Sequence, residues 1–192
     1  MPTVQSEEML ESLKRVVAVL RDAEVTCALG GGLALWAFGS APTDHDIDLL
    51  LADEAAADRA VQALEAAGMP TEVPPEGWLR KAWDGEVLID LVFSPTGIDP
   101  AKALADAPTR NVHAMPMLVM RPEDVFVSKL TAATEHSLRF EPLLEHARAL
   151  REQVDWDEVA VRTQGSPYAR AFLNLLDGLG VVPGAGLSPV SP

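Results

Sequence analysis

The hydrophobic pattern along the chain changes character near residue 120. Met9, Leu13, Val16, Val17 and Leu20 share one helical face, and Ser6 followed by Glu7 and Glu8 predicts where that helix begins. "VTCAL" (25–29) predicts a short strand, and the glycines at 30–32 a turn into a helix through Leu33–Phe38. "DIDLLL" (46–51) predicts a second strand, and "EAAADRAVQALEAAG" (54–68) a helix closed by Gly68. Two β-favouring runs, "WLRKAW" and "EVLIDLVF", flank Asp84-Gly85 and predict a hairpin. A loop or short helix is expected at 99–107 and a last short strand at 116–120. Beyond Pro122 the period is helical, with helices expected at 122–136, 140–151, 155–164 and 167–178. "VPGAGLSPVSP" predicts a disordered tail with nothing to bury.

Three acids break the apolar logic of the strands. Side chains alternate along a strand, so Asp46 and Asp48 point to one face, about 7 Å apart. Asp90 interrupts "VLIDLVF", which is otherwise apolar. Carboxylates on a half-buried face repel one another unless they share a cation. If the two strands are neighbours, the three acids converge into a set of hard oxygen ligands suited to Mg²⁺. The glycine turn complements them: Gly31 and Gly32 at the start of a helix offer backbone N–H groups to a phosphate. A phosphate cradle beside three acids is equipment for two-metal phosphoryl or nucleotidyl transfer.

This pattern resembles the nucleotidyltransferase superfamily of polymerase β-like folds: a small-residue turn, a spacer, an Asp-hydrophobic-Asp pair, and a third acid, here Asp90. "GGLAL…DIDLLL", "LIDLVF" and "RPEDVFVSKLTA", within residues 25–150, are similar to the AbiEii-like group, which includes the MenT-type nucleotidyltransferase toxins. The resemblance implies an α+β fold, with a mixed sheet and flanking helices followed by a C-terminal helical lobe. The expected division is a nucleotidyltransferase core at 1–120, a helical lobe at 121–180 and a tail at 181–192. It implies two Mg²⁺ ions on Asp46, Asp48 and Asp90, an NTP co-substrate, and Lys129 on the nucleotide phosphates. Glu141 and Glu145 stand where the group's later helix often carries an Asp. The expected activity is transfer of a nucleoside monophosphate to an acceptor hydroxyl. The first-ranked acceptors are tRNA 3′ ends or a protein, as in a toxin neutralised by an antitoxin partner. The alternatives are a small-molecule enzyme of the aminoglycoside- or lincosamide-modifying kind, and a catalytically silent binding protein of the same fold.

Charge bears on that choice. The net charge is −14, and residues 1–100 hold six Lys/Arg against eighteen Asp/Glu. Such a chain does not bind duplex nucleic acid through bulk electrostatics. A tRNA acceptor would therefore need the C-terminal half, through Arg121, Arg139, Arg148 and Arg151. A polycationic small molecule suits the acidic half directly. The lone cysteine, Cys27, is expected to be a buried core residue in a reducing cytoplasm, and no apolar run is long enough to span a membrane. His45 is read as a loop histidine, and His113, His136 and His146 as surface or packing residues. Trp36, Trp78, Trp83 and Trp156 are read as packing residues, with base stacking open to Trp78 or Trp83.

Overall fold

The computed structural model describes residues 4–41, 46–137 and 139–185. The chain opens with helix α1 (Val4–Asp22), whose Leu13, Val16 and Leu20 are fully buried. The helix starts two residues before Ser6, so Ser6 does not mark its beginning. Strand β1 (Ala28–Leu29), helix α2 (Gly31–Ala37) and strand β2 (Ile47–Leu50) follow. Helix α3 (Glu54–Ala66) is capped by Asp53, whose carboxylate accepts the Ala56 N–H at 2.7 Å. Strands β3 (Thr71–Glu72), β4 (Leu79–Asp84) and β5 (Val87–Val92) precede helix α4 (Pro100–Asp106). Strands β6 (Thr109–Val112) and β7 (Met115–Val119) lead into helices α5 (Pro122–Thr131), α6 (Phe140–Leu150), α7 (Trp156–Thr163) and α8 (Pro167–Gly178).

The strands form one seven-stranded mixed sheet in the order β3-β4-β5-β2-β1-β7-β6. β2 runs parallel to β5 and β1 parallel to β7; the other pairs are antiparallel. Alternation sorts the two faces. Ile47, Leu49, Ile89 and Leu91 are fully buried on the side covered by α1 and α3, so their neighbours Asp48 and Asp90 emerge on the opposite side. Arg80 of β4 is buried on the α3 side, where it donates to Glu54 at 2.6 Å and Asp58 at 3.1 Å.

The expected β4–β5 hairpin is present, with Asp84 paired to Val87. Gly85 occupies the first central turn position at φ 62°, as a primed turn requires. A second hairpin joins β6 to β7 through His113 and Ala114, at φ 48° and 64°. No Asn or Gly marks that turn, and β6 is an edge strand with three of its four residues exposed, so neither signal of a strand was in the pattern. α4 is a helix because Asp99 accepts the Lys102 N–H and Pro100 sits at its first turn. α5 is shorter than periodicity suggested, ending at Thr131.

α5 joins the sheet to the later helices. Val125, Phe126, Val127 and Leu130 are buried, and Phe126 packs against Trp156 with ring centroids 4.9 Å apart. Its two acids are buried with partners. Glu123 accepts the Asp155 N–H at 2.9 Å, and Asp124 lies 2.7 Å from Arg162. The residues after α8 were expected to bury nothing, but Val181 and Val182 pack on the core and Ala185 is buried. Gly180, at φ 64°, turns the chain back so that Val181 N–H reaches Leu176 O and Gly184 N–H reaches Asp177. Residues 186–192 of that tail lie outside the described residues. Among the described residues, no helix is long and apolar enough to cross a membrane.

Candidate active site

The parallel pairing of β2 with β5 sets Asp48 directly beside Asp90. Asp46 precedes Asp48 by one alternation and faces the same way. One carboxylate oxygen from each of Asp46, Asp48 and Asp90 lies within 4.8 Å of the others. The β4–β5 register adds Lys81 opposite Asp90. Because that register follows from the hairpin turn, Lys81 was findable by counting back from Asp84-Gly85, yet it was not singled out.

Gly31 explains the glycine run. Its φ is +55°, and a Cβ built on it would stand 1.7 Å from Asp48 Oδ2. Only a glycine lets the start of α2 lie against that carboxylate. The adjacent Gly30 N–H donates to Asp48 O at 2.8 Å, fixing the turn on β2. Gly32 lies on the neighbouring cavity wall.

The electrostatics follow from burial. Loss of solvent pushes the Asp48 carboxyl up to about 7, Asp46 and Asp90 add repulsion, and the Lys129 ammonium opposes them. Burial also raises Asp90; Lys81 opposes this and Asp46 adds to it. Asp90 Oδ1 is buried without a hydrogen-bond partner among the described residues. Three hard oxygens, crowded together and one of them orphaned, fit a divalent cation of the Mg²⁺ class.

Two cavities meet at this cluster. One, about 590 Å³, is bounded by Gly32, Asp46, Lys129, Glu141, Glu145 and His146. The other, about 220 Å³, is bounded by Gly31, Asp48, Trp78, Val92, Met120 and Lys129. Lys129 and Ala132 line both, and the Lys129 ammonium is within electrostatic reach of Asp48. Trp78 is 42 % exposed on the smaller cavity rather than packed in the core, whereas Trp156 is buried and Trp36 and Trp83 are half-buried.

Other expected positions resolve differently. His146, read as a surface or packing residue, is half-buried, lines the larger cavity, and has its Nδ1 2.6 Å from the buried Ser40 Oγ. The only sequence signal for it was its place beside Glu145, one turn after Glu141. His113 forms the β6–β7 turn, and His136 is exposed beside Glu135. His45 lies outside the described residues. Cys27 is half-buried against the core, and desolvation lifts its thiol to about 11. The four arginines do not form a basic platform. Arg121 is bound to Glu158 at 2.7 Å and also faces Glu123 at 3.4 Å. Arg151 pairs with Glu152, Arg148 is exposed, and only Arg139 of the four lines the larger cavity.

Comparison with known proteins bears on the family and the fold. The family model described as aminoglycoside-2''-adenylyltransferase matches residues 12–129. The solution structure of the antibiotic-resistance factor ANT(2'')-Ia is similar with a TM-score of 0.63 at 15% identity, over 91% of this chain and 98% of that one. The crystal structure of ANT(2'')-Ia in complex with adenylyl-2''-tobramycin gives a TM-score of 0.61 at 16% identity, over 81% and 95%. No curated protein matches the sequence. The mixed α/β fold is thus of the nucleotidyltransferase type. The narrower resemblance to the AbiEii-like and MenT-type toxins finds no support, and neither do a tRNA acceptor or an antitoxin partner.

Proposed function

We infer the function from a premise the sequence match supplies: the chain belongs to the aminoglycoside-2''-adenylyltransferase family. It is a nucleotidyltransferase. The finer reading proposed here is transfer of AMP from ATP to a hydroxyl of an aminoglycoside, with release of pyrophosphate. The observation that carries it is the cluster of Asp46, Asp48 and Asp90 at the junction of two cavities that share Lys129.

In this reading Asp46, Asp48 and Asp90 hold divalent metal, as two Mg²⁺ ions. When bound, the metal supplies positive charge that polarises the α-phosphate and makes the acceptor hydroxyl more acidic. The chain's own groups do the rest. Lys129 and the backbone N–H groups of Gly31 and Gly32 hold the triphosphate in line. The acceptor oxygen attacks the α-phosphorus, the bond to the bridging oxygen breaks, and pyrophosphate leaves. Asp90 receives the acceptor's proton, a role its unpartnered Oδ1 supports. Glu141 and Glu145 lie one turn apart on α6, exposed at the larger cavity with Asp46. With a net charge of −14, they draw a polycationic acceptor and disfavour a polyanionic one.

The direct test is incubation with ATP, Mg²⁺ and a panel of aminoglycosides, with total tRNA and cell protein offered in parallel. Pyrophosphate release that depends on an aminoglycoside, with one AMP added to it, is the expected result. Label appearing on tRNA or protein and on no aminoglycoside would reject the reading.

Lys129 has its own measurement. ATP with Mg²⁺ is expected to raise the melting temperature by mass action. Lys129→Ala should cut that rise by more than half while leaving the ligand-free melting temperature within about 2 °C, because the residue is exposed. An undiminished rise would remove Lys129 from the nucleotide site.

A further inference from the structure

Ser40 and His146 are 106 residues apart in sequence, yet Ser40 Oγ and His146 Nδ1 lie 2.6 Å from each other at the larger cavity. Ser40 comes just after α2, six residues before Asp46, and is 7% exposed. His146 lies on α6, so the contact ties the helix that walls the cavity to the segment that carries the first acid.

We propose that His146 is a nucleotide-positioning residue, oriented by Ser40 so that its Nε2–H donates to an oxygen of the NTP in the larger cavity. This rests on the nucleotidyltransferase reading of the site. The tautomer follows from hydrogen-bond accounting. A neutral imidazole carries one N–H and one bare nitrogen. Were Nδ1 the donor, the buried Ser40 hydroxyl would hold a proton with no acceptor among the described residues, which is costly. With Ser40 Oγ–H donating to Nδ1, the hydroxyl and Nδ1 satisfy each other and the proton sits on Nε2. The Ser40 contact engages Nδ1 and leaves Nε2 outside it.

The ring is kept neutral by burial and by the Lys129 ammonium on α5, against the opposing pull of Glu145 on its own helix. The influence of Lys129 also places His146 near the cation expected to hold phosphate. A donor beside that cation is matched to the oxygen-rich triphosphate and ribose. It is poorly matched to the ammonium groups of an aminoglycoside, which need acceptors. The cavity, at about 590 Å³, has room for a nucleotide between Gly32, Lys129 and His146, which leaves the side of α6 that bears Glu141 and Glu145 to the acceptor.

Amide substitutions separate the two ends of the ring. Asn places its amide near the position of Nδ1, so His146→Asn keeps the Ser40 contact and loses the donor to the cavity. Gln reaches the position of Nε2, so His146→Gln keeps that donor and loses the Ser40 contact. The experiment is isothermal titration of ATP with Mg²⁺ into wild type, His146→Asn, His146→Gln, His146→Ala and Ser40→Ala, each checked for its melting temperature. KM for ATP, KM for an aminoglycoside and kcat are measured alongside.

The expected result is ATP affinity within about threefold of wild type for His146→Gln, and about tenfold or more weaker for His146→Asn and His146→Ala. Ser40→Ala should fall between them, with the aminoglycoside KM unchanged throughout. If His146→Asn behaves as wild type and His146→Gln is the weakened one, the contact is only a structural tether and the proposal fails. Wild-type affinity in all four variants also overturns it, as does loss confined to the aminoglycoside KM. A wild-type protein that binds no ATP removes the nucleotidyltransferase reading and this proposal together; ATP binding lost only in the His146 variants leaves that reading standing.

Discussion

Asp48→Asn is expected to abolish nucleotidyl transfer, by three orders of magnitude or more, while making the metal-free protein more stable. The carboxylate sits where burial and two like charges oppose its ionisation, and its pKa is pushed up to about 7. An acid whose pKa is higher folded than unfolded contributes stability that is fully present below its unfolded value. That contribution is lost as pH rises through the folded value. Metal-free wild type should therefore lose stability between about pH 4 and pH 7, and Asp48→Asn should lose less over the same window. The expected gap at pH 8 is on the order of 2 kcal/mol in favour of the variant, read by chemical denaturation in a chelator. Mg²⁺ should stabilise wild type and do little for the variant. A variant less stable than wild type at pH 8 would mean that the Asp48 carboxylate is a structural anchor instead. Retained transfer would dismiss it from the reaction.

Gly31→Ala is the second change with a large expected effect, for a steric reason. The added methyl would lie 1.7 Å from Asp48 Oδ2 and 2.7 Å from Asp48 Cγ, at a backbone φ of +55° that an alanine adopts only with strain. Either the Asp48 carboxylate leaves the cluster or the start of α2 lifts off β2, and both dismantle the site. Transfer should fall by at least about a thousandfold, because misplacing a catalytic constellation by even 1 Å is costly. Stability should fall by about 2–4 kcal/mol. The steric account is checked by adding Asp48→Ala, which removes both of those close contacts and leaves only the Cβ at 3.1 Å. The double variant should regain part of the lost stability, a non-additive coupling, while remaining inactive. Additive losses would mean that the left-handed backbone alone explains Gly31.

Both substitutions act on a cluster that the sequence announces through local rules. Strand alternation alone puts Asp46 and Asp48 on one side, and the apolar run around Asp90 marks it as a polar intruder. The Asp84-Gly85 turn implies the hairpin, and with it Lys81 opposite Asp90. These are properties of a few neighbouring residues, so they are legible without a fold. The helices after residue 120 are legible too, because their apolar period is long and their caps, Asp155 and Ser166, are conventional. The edge strands β3 and β6 carry little buried surface and left almost no pattern to read.

What lay beyond local rules was decided by tertiary packing. That β5 lies parallel beside β2, setting Asp90 against Asp48, depends on how two apolar strands share the core beneath α1 and α3. That Gly31 is compelled by a carboxylate seventeen positions further along, and that His146 reaches Ser40, are contacts no spacing encodes. Arg121 reads as a free cation in the sequence, and only the packing of α7 on α5 brings Glu158 to it. The same division explains why the chemistry was readable before the acceptor was. Phosphoryl transfer needs acids and glycines at fixed local spacings, whereas an acceptor is recognised by a cavity walled by separate elements. Its shape and charge exist only once the chain has folded.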